Sequence, residues 1–159
     1  MKRPLATLAA CAALLVCSAC SQNEPPMPPE TERVYASVLA DCGGDEYTID
    51  VRKDSDTLAR YTLMSADGSE PMTFAFVGNE CTVTYMGLEL TDPPESAPVT
   101  VLHKALCARS ALEYDEGKNA FCGVAENFAF TFYVSSGSNP SILEVNEPKF
   151  KYCFDLSLR

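Results

Sequence analysis

Five cysteines are the residues of this sequence with the widest range of possible chemistry, because a thiol can bind a metal, act as a nucleophile or form a disulfide. They are spread over the chain after residue 40, at Cys42, Cys81, Cys107, Cys122 and Cys153. None of the five belongs to a Cys-x-x-Cys pair, and the single histidine, His103, cannot complete a zinc site with them. The pattern therefore predicts disulfides, with no metal and no cofactor.

Other residues that could do chemistry lack the partners that catalysis needs. A hydrolytic triad requires a histidine base beside a nucleophile, and His103 stands in Leu-His-Lys without a nucleophile motif nearby. Paired carboxylates could hydrolyse a glycoside. Acid clusters are present at Asp41, Asp45 and Glu46, and at Glu113, Asp115 and Glu116. Both lie at predicted turns, where Asp is favoured for local hydrogen bonding, so a hydrolase is the less favoured alternative and we predict no catalytic residue.

The first 20 residues have the pattern of an export signal. Lys2 and Arg3 precede an apolar stretch at 5–16, which ends in Cys17-Ser18-Ala19-Cys20. This segment resembles the signal peptides of bacterial lipoproteins, whose lipobox reads roughly Leu-Ala-Gly-Cys. The resemblance implies cleavage before Cys20 and acyl chains, palmitate among them, on Cys20, which together anchor a protein stably. An ordinary secretory signal cut after Ala19 is the alternative.

The resemblance also sets the expected organisation of the chain. Residues 1–19 are the signal peptide, residues 20–32 are the lipidated Cys20 with a proline-rich linker, and residues 33–159 are a single domain. Twelve linker residues in extended geometry span up to about 35 Å. Ser21 occupies the place where an aspartate would mark retention in the inner membrane, so the resemblance favours the outer membrane of the cell envelope.

An exported domain meets an oxidising compartment, so the five cysteines are expected to form two disulfides and leave one spare thiol. Cys107 with Cys122 is the preferred pair, because the two flank the turn-like segment 115–119. Cys42 would then pair with Cys81 or with Cys153.

Alternating apolar residues predict a mainly β domain. Tyr47, Ile49 and Val51 share one face of a strand, and further extended runs occupy 58–64, 72–76, 81–85, 128–134, 142–145 and 150–158. Turns are predicted at 54–56, at Asp67-Gly68, at Gly78-Asn79 and at 115–119, and a serine-rich loop at 135–141. The expected fold is an antiparallel meander of about seven or eight strands, closed as a small barrel or packed as a sandwich.

Residues 98–113 can be read in two ways. Val99 and Val101 could begin a strand, whereas Leu102, Ala105, Leu106, Arg109 and Leu112 have helical spacing. Ser96 could cap such a helix, and Pro98 suits its first turn. We expect one helix here.

One loop offers a candidate binding site. Ser65-Ala66-Asp67-Gly68-Ser69 is similar to the recognition loop of the membrane-bound inhibitors of C-type lysozyme, which are small lipoproteins with an eight-stranded barrel. This resemblance implies that Ser65, Asp67 and Ser69 bind a lysozyme.

The net charge of the chain narrows the class of macromolecule that it is expected to bind. Removal of Lys2 and Arg3 with the signal peptide leaves 10 basic against 22 acidic residues, a net charge of −12. Such a chain lacks the basic patch that nucleic acid requires, but its field suits a basic protein such as a lysozyme. The sequence therefore predicts an envelope lipoprotein with a non-enzymatic binding role, with a lysozyme inhibitor as the alternative.

Overall fold

The structure, a computed structural model, describes residues 26–134 and 140–156. The predicted signal peptide, Cys20 and most of the predicted loop at 135–141 lie outside the described residues.

Eleven strands and one helix make up the described chain. The first six strands are β1 (Val34–Cys42), β2 (Asp45–Ser55), β3 (Leu58–Ser65), β4 (Met72–Val77), β5 (Glu80–Tyr85) and β6 (Leu88–Thr91). Helix α1 (Pro98–Cys107) and a 3₁₀ turn (Arg109–Ala111) follow. The last five strands are β7 (Glu113–Asp115), β8 (Ala120–Ala125), β9 (Phe128–Val134), β10 (Pro140–Asn146) and β11 (Lys151–Asp155).

All eleven strands belong to one antiparallel sheet, in the order β6-β5-β4-β3-β2-β1-β11-β10-β9-β8-β7. Two meanders meet at its centre, where Cys42 of β1 lies opposite Tyr152 of β11. Strands β6 and β7 are the edges, and α1 carries the chain from one edge to the other. The predicted antiparallel meander is confirmed.

The sheet curves around α1, as the burial of the helix shows. From Val99 to Leu106 every helix residue except Lys104 is buried, which means that apolar surface meets the helix on nearly all sides. The inward residues of β1–β5 and β8–β11 share a single core with the helix, and Val38, Ile49, Tyr61 and Phe132 are each fully buried there. We call this concave side the inner face of the sheet and its opposite the outer face.

The prediction was only roughly right in three details. Eleven strands replace seven or eight, and the single sheet is neither a closed barrel nor a sandwich. The helix is confirmed but ends at Cys107, and its N-cap is Ala97 rather than Ser96, with no side-chain cap. Pro98 occupies the first turn, where its missing N–H costs no hydrogen bond.

A segment before β1 is built into the domain. We call residues 28–33 the strap. Thr31 is fully buried, and the buried ammonium Nζ of Lys53 donates to the carbonyl oxygens of Thr31 at 2.7 Å and Glu32 at 3.0 Å. The same Nζ donates to Asp56 Oδ1 at 2.6 Å, and Arg109 donates to Asp56 Oδ2 at 2.7 Å. The strap is thus held against the β2–β3 turn by a buried cation.

Candidate functional site

A cavity of about 450 Å³ opens beside the C-terminal end of α1. Its walls come from the last turns of the helix and from three turns of the sheet, β2–β3, β4–β5 and β8–β9. The lining residues are Asp56, Phe76, Gly78, Asn79, His103, Lys104, Cys107, Ala108, Ser110, Val124, Ala125 and Glu126. Its volume falls within the range of small-molecule pockets, and it contains the only histidine of the chain.

His103 is held in place on two sides. Its ring stacks on Phe76, with centroids 3.8 Å apart and planes 18° from parallel, and its Nδ1 lies 2.9 Å from the buried hydroxyl of Tyr61. Burial, helped by the charge of Lys53, lowers the pKa of His103 to about 4. The imidazole is therefore neutral near pH 7.

Cys107 lies one helical turn after His103, on the same side of α1. Its Sγ is 3.8 Å from Nε2 and 4.0 Å from Nδ1 of the imidazole, and 3.8 Å from the carbonyl oxygen of Asp56. Burial raises the pKa of the Cys107 thiol to about 11. A cysteine is activated either as a thiolate beside an imidazolium or by a neutral imidazole that takes up its proton. With a pKa of about 4 the His103 imidazole is a weak base, and the Cys107 thiol is protonated near pH 7.

Charged groups surround the neutral pair. Lys104 of α1 forms an ion pair with Glu126 of the β8–β9 turn and lies 3.8 Å from Glu95. Asp56 also lines the cavity. Burial tends to raise its pKa, but the hydrogen bonds from Lys53 and Arg109 outweigh that effect and lower it. The cavity thus combines an apolar wall, a neutral donor–acceptor pair and a charged rim.

The predicted binding loop lies elsewhere. Asp67 and Ser69 are exposed in the β3–β4 turn, and the Ser69 N–H donates to Asp67 Oδ1 at 2.9 Å. That hydrogen bond, with others from the Ser65 and Ser69 hydroxyls, lowers the pKa of Asp67. The turn presents an ordered carboxylate, but the open sheet of eleven strands differs from the eight-stranded barrel that the resemblance implies.

The structure joins none of the five predicted disulfide cysteines, all of which are free thiols. Cys107 lies on the helix inside the sheet, whereas Cys122 lies on the outer face of β8, where its Sγ contacts Thr131. Cys42 and Cys153 are on neighbouring strands, but Cys153 lies opposite Asp41 and points to the other face. Cys81 is buried in the core. The expected pairing of Cys107 with Cys122 is therefore absent, because the sheet separates the two side chains.

The two acid clusters do not form a cleft. Asp41, Asp45 and Glu46 are exposed at the β1–β2 hairpin, and Glu113 and Glu116 are exposed beside the β7–β8 turn. The cluster at 113–116 lies on an edge of the sheet and the other near its middle, and the structure does not bring them together.

Sequence reasoning named His103 but missed the cavity around it. The spacing of His103 and Cys107 on a predicted helix was a usable signal, since residues four apart share a helix face. The contributions of Phe76 and Glu126 depend on strands far away in the sequence and left no local signal.

No family model matches this chain, and no curated protein is similar to it at a significant level. Within residues 26–134 and 140–156, no helix has the length and hydrophobicity needed to cross a membrane.

Proposed function

We propose that this chain is a lipoprotein of the bacterial cell envelope, anchored through acyl chains on Cys20, favouring the outer membrane, whose domain binds a ligand without transforming it. The lipobox-like Cys17-Ser18-Ala19-Cys20 supports the anchor. The cavity beside α1 is the proposed binding site. The acidic composition of the chain argues against nucleic acid as the partner.

The protonation states of His103 and Cys107 are the main support for a binding role. The pKa of His103 is about 4 and that of Cys107 about 11, so near pH 7 the imidazole is a weak base and the thiol is protonated, which does not favour nucleophilic catalysis. A neutral imidazole and a thiol can still donate and accept hydrogen bonds. The arrangement therefore suits recognition of a small molecule with both apolar and polar parts.

A fluorescent probe tests this site. The anion 8-anilinonaphthalene-1-sulfonate combines apolar rings with one charged group, and we expect the wild-type chain to bind it saturably with enhanced fluorescence. Ala108→Phe places a ring in the cavity and is expected to weaken binding at least about tenfold, since the lost burial exceeds 1.4 kcal/mol. Ala129→Phe is the matched control, because Ala129 is exposed on β9. Equal binding by the two variants would refute the site.

A second candidate function, inhibition of C-type lysozyme, is favoured by the ordered carboxylate of Asp67 on its exposed turn. A basic enzyme would be attracted to such a group. We expect Asp67→Asn to relieve any inhibition of lysozyme in a cell-wall lysis assay, whereas Asp45→Asn, at the exposed β1–β2 turn, would not. Absence of inhibition by the wild-type chain at micromolar concentration would remove this candidate.

A further inference from the structure

Three arginines lie near Tyr35 at one end of the sheet: Arg52 and Arg60 on its outer face, and Arg33, the last residue of the strap. We call Arg33, Arg52, Arg60 and the neighbouring Tyr35 the arginine corner. In the antiparallel register Tyr35 of β1 lies opposite Arg52 of β2, and Arg52 lies opposite Arg60 of β3. Arg33, Arg52 and Arg60 are all exposed.

The corner is not neutralised by acids in the way that four other cations of the chain are, and among the described residues only Lys149 and Lys151 likewise lack an ion pair. Lys53, Lys104, Arg109 and Lys118 each form an ion pair within about 4 Å of a carboxylate. By contrast, Arg33 and Arg60 have no ion pair among the described residues. Arg52 has only Asp54, with 3.8 Å between Nε and Oδ2.

Asp54 is already engaged by the corner itself, because it accepts a hydrogen bond of 2.5 Å from the Tyr35 hydroxyl. This bond raises the pKa of Tyr35, while the nearby charges of Arg52 and Arg33 oppose the rise. Like charges directly opposite each other on adjacent strands destabilise a sheet. Placing Arg52 against Arg60 therefore has a cost, which an anion bound between them would offset.

Apolar side chains border the same arginines. Leu58 and Val77, opposite each other on β3 and β4, are 50% and 64% exposed. Together with Arg52 and Arg60 they line a surface groove of about 330 Å³. Guanidinium groups beside exposed apolar side chains match the junction between charged headgroup and hydrocarbon in a lipid.

The position of the corner selects the lipid surface over other anions. Arg33 ends the strap, so the corner lies where the chain arrives from the predicted anchor, and Cys20 is only 13 residues before Arg33. At the corner's end of the sheet the acids Glu32, Asp54 and Asp56 each have a basic partner. The far ends of the same strands carry acids with no basic residue at 41–46 or 65–71, namely Asp41, Asp45, Glu46, Asp67 and Glu70. An anionic membrane would repel those ends and attract the corner.

We propose that the arginine corner binds anionic lipid headgroups of the membrane that holds the acyl chains of Cys20, with the apolar pair Leu58 and Val77 at the headgroup level. This rests on the lipid anchor of the proposed function. The anchor supplies the affinity for the membrane, and the corner fixes which face of the domain is turned towards it. The acidic β1–β2 and β3–β4 turns then point away, towards partners.

The test uses the acylated mature chain, residues 20–159, in vesicles of phosphatidylcholine alone or with added phosphatidylglycerol. Phenylglyoxal modification of each arginine is followed by mass spectrometry of peptides. On the anionic vesicles we expect Arg52 and Arg60 to react at least about fivefold more slowly, the effect of one charge at such a surface. High salt should restore their reactivity. Arg109, held by Asp56, is the internal reference.

A pair of double variants distinguishes lipid binding by the arginine corner from a general effect of positive charge. In Arg52→Gln/Arg60→Gln, the lipid-dependent protection of Arg33 should vanish, whereas Lys149→Gln/Lys151→Gln removes equal charge from the exposed β10–β11 region and should leave it intact. Equal reactivity of Arg52 and Arg60 on the two kinds of vesicle would overturn the inference while the anchor stands. If the wild-type chain fails to float with either vesicle, the anchor itself is refuted.

Discussion

Lys53 shows how much a single buried cation can organise at the scale of one residue. Its side chain is fully buried, and its three acceptors come from two separate parts of the chain, the strap and the β2–β3 turn. Burying an ammonium is costly unless every proton is used. Here the three hydrogen bonds use all three, which explains why a charged residue is tolerated at an inward position of β2.

We expect Lys53→Met to lower the free energy of unfolding by about 2 kcal/mol, since the carbonyl oxygens of the strap lose their donor while Asp56 keeps Arg109 and some solvent. Urea unfolding measures the change. Lys151→Met makes the same chemical replacement at an exposed position and should be nearly neutral. A Lys53→Met chain as stable as the Lys151→Met control would show that the strap contact contributes nothing.

His103 makes the stability depend on pH. Its pKa is about 4 in the folded chain, against an ordinary value of 6.5 in the unfolded chain, so below pH 6.5 the unfolded chain binds a proton that the folded chain refuses. Stability is therefore lost as the pH falls from 6.5 towards 4. Between pH 7 and pH 5 we expect the wild type to lose about 2 kcal/mol more than His103→Gln, which has no titrating ring. Parallel pH profiles for the two chains would contradict the burial of a neutral imidazole.

The reactivity of the thiols can distinguish the free cysteines of the structure from the disulfides that the sequence predicts. Burial raises the pKa of Cys42 to about 12 and that of Cys81 and Cys107 to about 11. Burial raises the pKa of Cys153 too, but Cys153 alone of these four is exposed. At pH 8 we expect iodoacetamide to modify Cys153 well before those three. After denaturation without a reductant, all five thiols should react. If only one thiol reacted, as two disulfides require, the result would contradict the free thiols of the structure.

At the scale of elements, β8 and β9 fit together through a glycine. Gly123 faces inward opposite Phe130, whose ring fills the space where a side chain would stand: a Cβ on Gly123 would lie 2.4 Å from Phe130 Cζ. We expect Gly123→Ala to destabilise the chain by about 1–3 kcal/mol through overpacking. Thermal or urea unfolding measures this.

Gly117→Ala is the matched control for that substitution. Its added Cβ would meet only the carboxylate end of Asp115, at 3.2 Å, in an exposed turn. We expect a change within about 0.5 kcal/mol. Equal effects at the two glycines would mean that the Phe130 ring is not seated as described.

The strength of each local pattern decided which elements could be predicted. Phe128, Phe130 and Phe132 alternate cleanly because one face of β9 is buried, and β9 was predicted as a strand. Strand β6 was missed because all of its four residues are exposed and its turn is Met86-Gly87, where a hairpin usually has Asn-Gly. Strand β7 is three residues long and has no period to detect.

Only half of the candidate site could be predicted from the sequence, for a related reason. The helix that carries His103 and Cys107 has a local signal in its spacing, and it was predicted. The order of eleven strands is a non-local property, and it alone brings the β4–β5 and β8–β9 turns to the end of that helix.

At the scale of the whole molecule, the proposed anchor, the strap and the arginine corner are three successive points that attach the domain to the membrane. Acyl chains on Cys20 would hold the chain at the membrane, Lys53 fixes the strap to the domain, and Arg33 begins the corner at the end of the strap. In this arrangement the cavity beside α1 shares Asp56 with the cluster that holds the strap. The ligand site would then lie near the side of the domain from which the tether leaves.

Attachment of lipid to Cys20 is the claim on which this account depends most. Mass spectrometry of the mature chain, purified from bacterial membranes, tests it directly. We predict a chain that lacks residues 1–19 and carries a diacylglyceryl group and an N-acyl chain on Cys20, and a Cys20→Ser chain that is neither lipidated nor retained in the membrane fraction. A wild-type chain that begins at Cys20 with an unmodified thiol, or a Cys20→Ser chain with unchanged membrane retention, would contradict the account.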